Sequence, residues 1–242
     1  VLNTIMAEQL QRFKSDVDAL VAKGLKRDGA IFNVLRDYIK ESKAIRFEGD
    51  GYSKEWELHA EKLGLENIKT TPKALDNYVS KKSVELFAAQ GVLNEKEVHA
   101  RHEVMLEQYQ MAIQIESRVL GDLAKNHIIP TAIRYQNTLI ENVKGLKEVL
   151  SKSDYEEAAK EQLDMIKEIS GRVAKIKSSI DKMIDERRKA NVIEDVRDLA
   201  IAYDEKVKQY FDVIRYEVDK LEIVIDDELW PLPKYREMLF TR

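Results

Sequence analysis

From Asn94 to Leu150 the chain carries no helix stop except Pro130, and this stretch limits the possible folds more than any other. Its apolar positions include Val98, Met105, Leu106, Tyr109, Ile113, Leu120, Leu123, Ile128, Leu139, Val143 and Leu146, which follow a helical period. At the α-helical rise the stretch spans ~80 Å. Asn94-Glu95-Lys96-Glu97 opens it as an Asx version of a capping box. Pro130 has no N–H to donate, so a kink is predicted in the preceding turn, near Asn126 to Ile129. A second long helix is predicted from a Ser153 cap to about Ala190, with its seam at Leu163, Ile166, Ile169, Val173, Ile176, Ile180, Met183 and Ile184. Asn191 breaks it, and a third helix follows from about Ile193 to Glu228. Short connections make consecutive long helices antiparallel neighbours. The expected fold is all-α: short helices and loops, then a long antiparallel three-helix bundle, coiled-coil-like in its seams.

The domain limits follow from this pattern. Residues 1–92 form a short-helix region, 93–229 the bundle, and 230–242 an aromatic C-terminal tail. In the first region, Leu2, Ile5, Met6, Phe13, Val17, Leu20 and Val21 lie on one helix face that Gly24 terminates. Ile31, Val34, Leu35, Tyr38 and Ile39 mark the inward face of a helix over 28–42, and Ala44 to Phe47 reads as a short extended piece. Gly49-Asp50-Gly51 is turn chemistry and Ser53 a preferred N-cap, so GDGYSKEW reads as a loop feeding a helix. Thr71-Pro72 starts another short helix, and Gly91 closes the one that holds Val84, Leu86 and Phe87. The opening VLNTIMAEQLQRF is helix-periodic without a cap, the pattern expected of a piece cut from something longer.

Composition narrows the function classes. With 40 Lys and Arg against 44 Asp and Glu, the net charge of −4 argues against wrapping nucleic acid. No apolar run approaches the ~20 residues of a membrane-spanning helix. Without cysteine there is no thiol nucleophile and no zinc ribbon, and a reducing compartment is the expected setting. The phosphate-loop spacing G-x-x-x-x-G-K-[ST] is absent, and the Gly49 loop lacks the repeated ligands of a calcium loop. The four histidines are His59, His99, His102 and His127. His99 and His102 could share one helix face, yet no H-E-x-x-H surrounds them, and they read as a solvated face. None of the four follows a Glu by three residues, so a di-iron bundle site is not expected. His127 is expected to satisfy a backbone group freed by Pro130. Asp226-Asp227-Glu228 reads as a solvated helix end, and Trp230 to Phe240 as a tail that packs back on the bundle, with docking to a partner as the other reading. No catalytic, cofactor-binding or metal residue is assigned.

Three stretches resemble one family. Glu116 to Glu148 (ESRVLGDLAKNHIIPTAIRYQNTLIENVKGLKE), Gly49 to Trp56 (GDGYSKEW) and Trp230 to Phe240 (WPLPKYREMLF) are similar to the C-terminal part of the large bacterial type III glutamine synthetases. VLNTIMAEQL also looks like the helix that follows their barrel core. The resemblance implies a parent enzyme that joins ammonia to glutamate with ATP and Mg²⁺ or Mn²⁺, works in the cytoplasm and forms stacked hexameric rings. The family's Arg-x-Glu-x-Arg motif does not occur here, and Tyr235-Arg-Glu-Met does not fit it. The expectation is a structural and assembly fragment without cofactors of its own, whose partners are the rest of the parent chain and neighbouring subunits. The alternative is a stand-alone helical adaptor module with no enzymatic role.

Overall fold

The structure, a computed structural model, describes residues 1–234 and 237–239. The described residues form helices and turns, with no strand among them. The chain divides into two compact units, Val1–Met105 and Leu106–Arg242, and the division falls inside one long helix.

In the first unit, α1 (Leu2–Ala22) and α2 (Arg27–Glu41) form a hairpin around Val17, Ala30 and Val34. Gly24 at φ +95° permits the turn between them. Phe13 meets the edge of Tyr38, and the Tyr38 hydroxyl donates to Asp16 at 2.7 Å. That bond raises the phenol's pKa. Leu35 and Ile39 were expected inward but are about half exposed, at 47% and 54%. The expected extended piece at Ala44 is instead a tight turn, Ser42–Ile45, which continues the end of α2. After it come α3 (Lys54–Lys62), α4 (Thr71–Leu75) and α5 (Lys81–Ala89). The cap of α4 falls on Thr70, one residue earlier than expected, and Pro72 is buried. Phe87 anchors α5, and Gln90 donates to Gln11 of α1 at 2.7 Å.

α6 (Glu95–Leu123) starts with the predicted reciprocal cap. The Asn94 N–H donates to Glu97 at 2.8 Å, and the Glu97 N–H donates back to Asn94 at 3.0 Å. The stretch does not run as one regular helix. A wide π-helical turn, Ala124–Ile128, separates α6 from α7 (Ile129–Val149). There the Ile129 N–H reaches back five residues to the Ala124 carbonyl. The turn absorbs Pro130, whose ring would collide with the carbonyl four residues earlier in a regular helix.

α8 (Lys152–Ala158) is capped by Ser151, which accepts from the Asp154 N–H, so the cap lies two residues before the expected Ser153. A break at Ala159 leads into α9 (Lys160–Ala190), and Asn191 ends it as expected. The third long segment is α10 (Val196–Ala202), a second π-turn at Tyr203–Val207, and α11 (Gln209–Val224). It ends at Val224, short of the expected Glu228.

Side-chain pairs give the helix directions. Lys125 bonds Asp181, Gln136 bonds Ser170, and Asn142 bonds Gln162, so α9 runs antiparallel to the α6–α7 segment. Tyr203 reaches Asn191 and Arg172 reaches Glu217, so the third segment runs antiparallel to α9. Ile169, Ile176, Ile180 and Met183 of α9 are fully buried at seven-, four- and three-residue spacings. Each contributes roughly 1.5–3 kcal/mol by leaving water.

The start of the tail packs back on α11. Trp230 and Leu232 join the core, and Lys234 is 9% exposed. The Lys234 ammonium donates to the carbonyls of Glu222 at 2.7 Å and Ile225 at 3.3 Å, and also to Asp227. It therefore neutralises a helix C-terminus that the neighbouring acids would otherwise burden. Lys234→Met should cost about 2 kcal/mol, since charge-assisted bonds are worth roughly 1.5–3 kcal/mol. Urea unfolding of the variant against the parent chain measures it. Tyr235 and Phe240, part of the expected tail turn, lie outside the described residues; Glu237–Leu239 forms one short turn.

Candidate functional site

The Gly49 loop is helix punctuation with a braced tip. Ser53 accepts from the Trp56 N–H at 3.1 Å, and Asp50 accepts from the Tyr52 N–H at 2.9 Å. Phe47 stacks on Trp56 with centroids 4.0 Å apart. Gly49 sits at φ +154°, and a Cβ there would lie 2.8 Å from the Phe47 ring, so glycine is needed. Tyr52 is fully exposed.

The histidines do not converge. His99 and His127 are exposed and His102 is half-buried. The backbone role expected for His127 is not seen. Among the described residues no group of three or more His, Asp or Glu stands close enough to hold a metal ion.

The polar groups that do converge sit in the helix seams of the second unit. Glu217, 5% exposed, accepts from Arg172 at 2.7 Å and from Lys175 at 3.2 Å. Arg172 also holds Glu168 at 2.7 Å. Burial pulls the Arg172 pKa down, but the bonds to Glu168 and Glu217 outweigh it and hold the pKa above its ordinary value. The Tyr109 hydroxyl donates to Asp204 and accepts from Lys208 at 3.3 Å. Burial, followed by the bond to Asp204, raises the Tyr109 pKa. These groups tie α6, α9 and the third segment together. They pair with one another across the seams.

Asp181 accepts from Lys125 at 2.9 Å and Lys177 at 3.0 Å, and these two bonds depress its pKa below the ordinary 3.8. A depressed carboxyl contributes stability above its unfolded pKa and loses it as pH falls through the folded value. The Lys125→Met variant should therefore trail the parent at neutral pH and converge with it as the pH falls through the depressed folded value of Asp181. Urea unfolding across that range reads the convergence.

Sequence reading missed Glu217, Arg172 and Lys234. The available signal was a charge set into an apolar stripe: Glu217 shares its face with Ile214 and Leu221, and both are fully buried. Lys234 gave no local signal, because its partners lie a turn and a helix end away.

Large apolar side chains also remain uncovered. On α1 these are Leu2, Met6 and Leu10, each more than 60% exposed. On α6, Met111, Ile115 and Val119 are exposed four residues apart. Ile115 and Val119, with Leu123 and Phe211, line an open groove of about 470 Å³ between α6 and α11. Both α6 and α11 belong to segments that run antiparallel to α9, so they run parallel to each other. No helix among the described residues is long and apolar enough to cross a membrane.

The described residues thus form an all-helical fold with aliphatic cores, paired internal charges and uncovered apolar side chains. Comparison with known proteins gives its family. Residues 30–147 match the glutamine synthetase C-terminal domain, and the chain belongs to that family. Over its whole length it is 48% identical to a glutamine synthetase of Bacteroides fragilis, covering 33% of that protein. It is 28% identical to a type-3 glutamine synthetase of Dictyostelium discoideum, again covering 33%. Against a glutamine synthetase of Butyrivibrio fibrisolvens it is 26% identical and covers 35%. The chain thus spans about a third of the length of the curated relatives it matches.

Proposed function

We propose that this chain is a structural and assembly region of a glutamine-forming ligase. One observation carries the reading: the 48% identity to a glutamine synthetase is measured over the whole chain while the chain covers only a third of that enzyme. In this reading the complete enzyme ligates ammonia to glutamate with ATP and Mg²⁺ or Mn²⁺ in the cytoplasm. Residues 1–92 end its catalytic domain, residues 93–229 form an appendage against neighbouring subunits of stacked rings, and residues 230–242 are the tail. The uncovered apolar side chains of α1 and α6 fit such contacts, since exposed apolar patches mark interaction sites.

Two measurements test the proposal. The 242-residue chain, supplied with glutamate, ammonia, ATP and either metal, should form no glutamine; turnover would overturn the reading. Deleting residues 106–229 from the complete enzyme should shift its mass in native mass spectrometry to smaller assemblies. An unchanged assembly with full activity would instead favour the adaptor reading.

A further inference from the structure

We infer that the pocket between α6 and α9 binds a phosphate-sized oxyanion. The pocket has a volume of about 230 Å³. Arg118, Gly121, Asp122 and Lys125 face it from consecutive turns of one helical side, and Arg187 faces it from antiparallel α9. Lys125 is paired with Asp181, so Arg118 and Arg187 are the cations left to the pocket beside the Asp122 carboxylate, a positive spot on a chain of net charge −4.

Arg187 carries the argument. It is half-buried, yet its hydrogen bond among the described residues is a long one, 3.5 Å, to the Ser117 hydroxyl. That hydroxyl is itself committed, donating to the Gln114 carbonyl at 2.8 Å. Arg172, on the same helix and also largely buried, is saturated by two carboxylates. A guanidinium has five N–H donors in a fixed fork, so Arg187 keeps donors for a bidentate oxyanion.

The neighbouring acids are engaged. Asp122 accepts from Asn126, and Asp181 holds Lys125 and Lys177. Gly121 forms a bare floor in a helix interior, where glycine weakens the helix. Packing does not demand it, because a Cβ there would meet Ile180 and Met183 at 3.6 and 3.7 Å, ordinary contact distances. Lys125 and Asn126 sit in the wide turn Ala124–Ile128, and such turns often lie at functional sites. The volume suits a phosphoryl group, either free or at the end of a nucleotide whose base stays outside. The inference stands apart from the assembly reading and can fail or hold without it.

The test titrates the full chain with inorganic phosphate by calorimetry, with sodium chloride at matched ionic strength as control. Saturable binding to phosphate alone is expected, weakening as salt rises. Arg118→Ala, on an exposed side chain, should weaken it about tenfold. Arg187→Met should abolish it; should that variant not fold, Arg118→Ala decides alone. ATP should bind within a few-fold of phosphate if the phosphoryl group is what is read. Phosphate no better than chloride, an Arg118→Ala variant that titrates like the parent, or binding of ATP without phosphate would each overturn the inference.

Discussion

Tyr203→Ala will cost the 106–242 unit about 4 kcal/mol. Tyr203 is 0% exposed and lies in the second π-turn, packed within the α9 core. Truncation removes a ring from a site that can collapse only partly, because α9 fixes one wall and the turn the other. The Tyr203 hydroxyl also donates to Asn191 at 2.6 Å, joining the end of α9 to the third segment. Tyr203→Phe removes only that bond and should cost about 1 kcal/mol. Urea midpoints of the two variants separate packing from hydrogen bonding. Equal losses would mean that the hydroxyl, rather than the ring, holds the segment.

Glu217→Ala is the second large effect, about 3 kcal/mol. The substitution leaves Arg172, 19% exposed, facing the seam with half of its carboxylate partners gone. Arg172 cannot relieve this by losing its proton. Replacing both partners, as in Arg172→Met with Glu217→Leu, should return stability to within about 1 kcal/mol of the parent, because apolar pairs of similar volume often match a buried ion pair. The contrast between single and double variants in denaturant unfolding isolates the ion pair. A double variant as weak as Glu217→Ala would show that the charges position the helices rather than merely compensate each other.

The long elements were legible because their signals are local and repeated. Asn94 with Glu97, Gly24, Gly91 and Asn191 marked boundaries that the structure keeps. The seam of α9 was readable from its apolar spacing alone. Legibility failed where a distant contact decides. Ser151 and Ser153 are equally good caps in isolation, and the chain path after Leu150 selects Ser151. Leu35 and Ile39 follow the helical period of Val34 and Tyr38, but α1 covers only part of that stripe. The second π-turn has no proline to announce it. The pocket at Arg187 was invisible for a related reason: it needs two helices in register, and Arg187-Arg188-Lys189 read alone is an ordinary charged face.

The wide turn at Ala124–Ile128 also affects how this chain tolerates changes in length. An α-helix that gains one residue normally rotates everything downstream by about 100°, given 3.6 residues per turn. Here the surplus is swallowed at a single place, and Gln136 and Asn142 still find their mates on α9. Deleting one residue within Ala124–Ile128 should therefore leave the downstream pairing intact, at the expense of a clash for Pro130. The same deletion ten residues later would turn every downstream apolar side chain away from its partner.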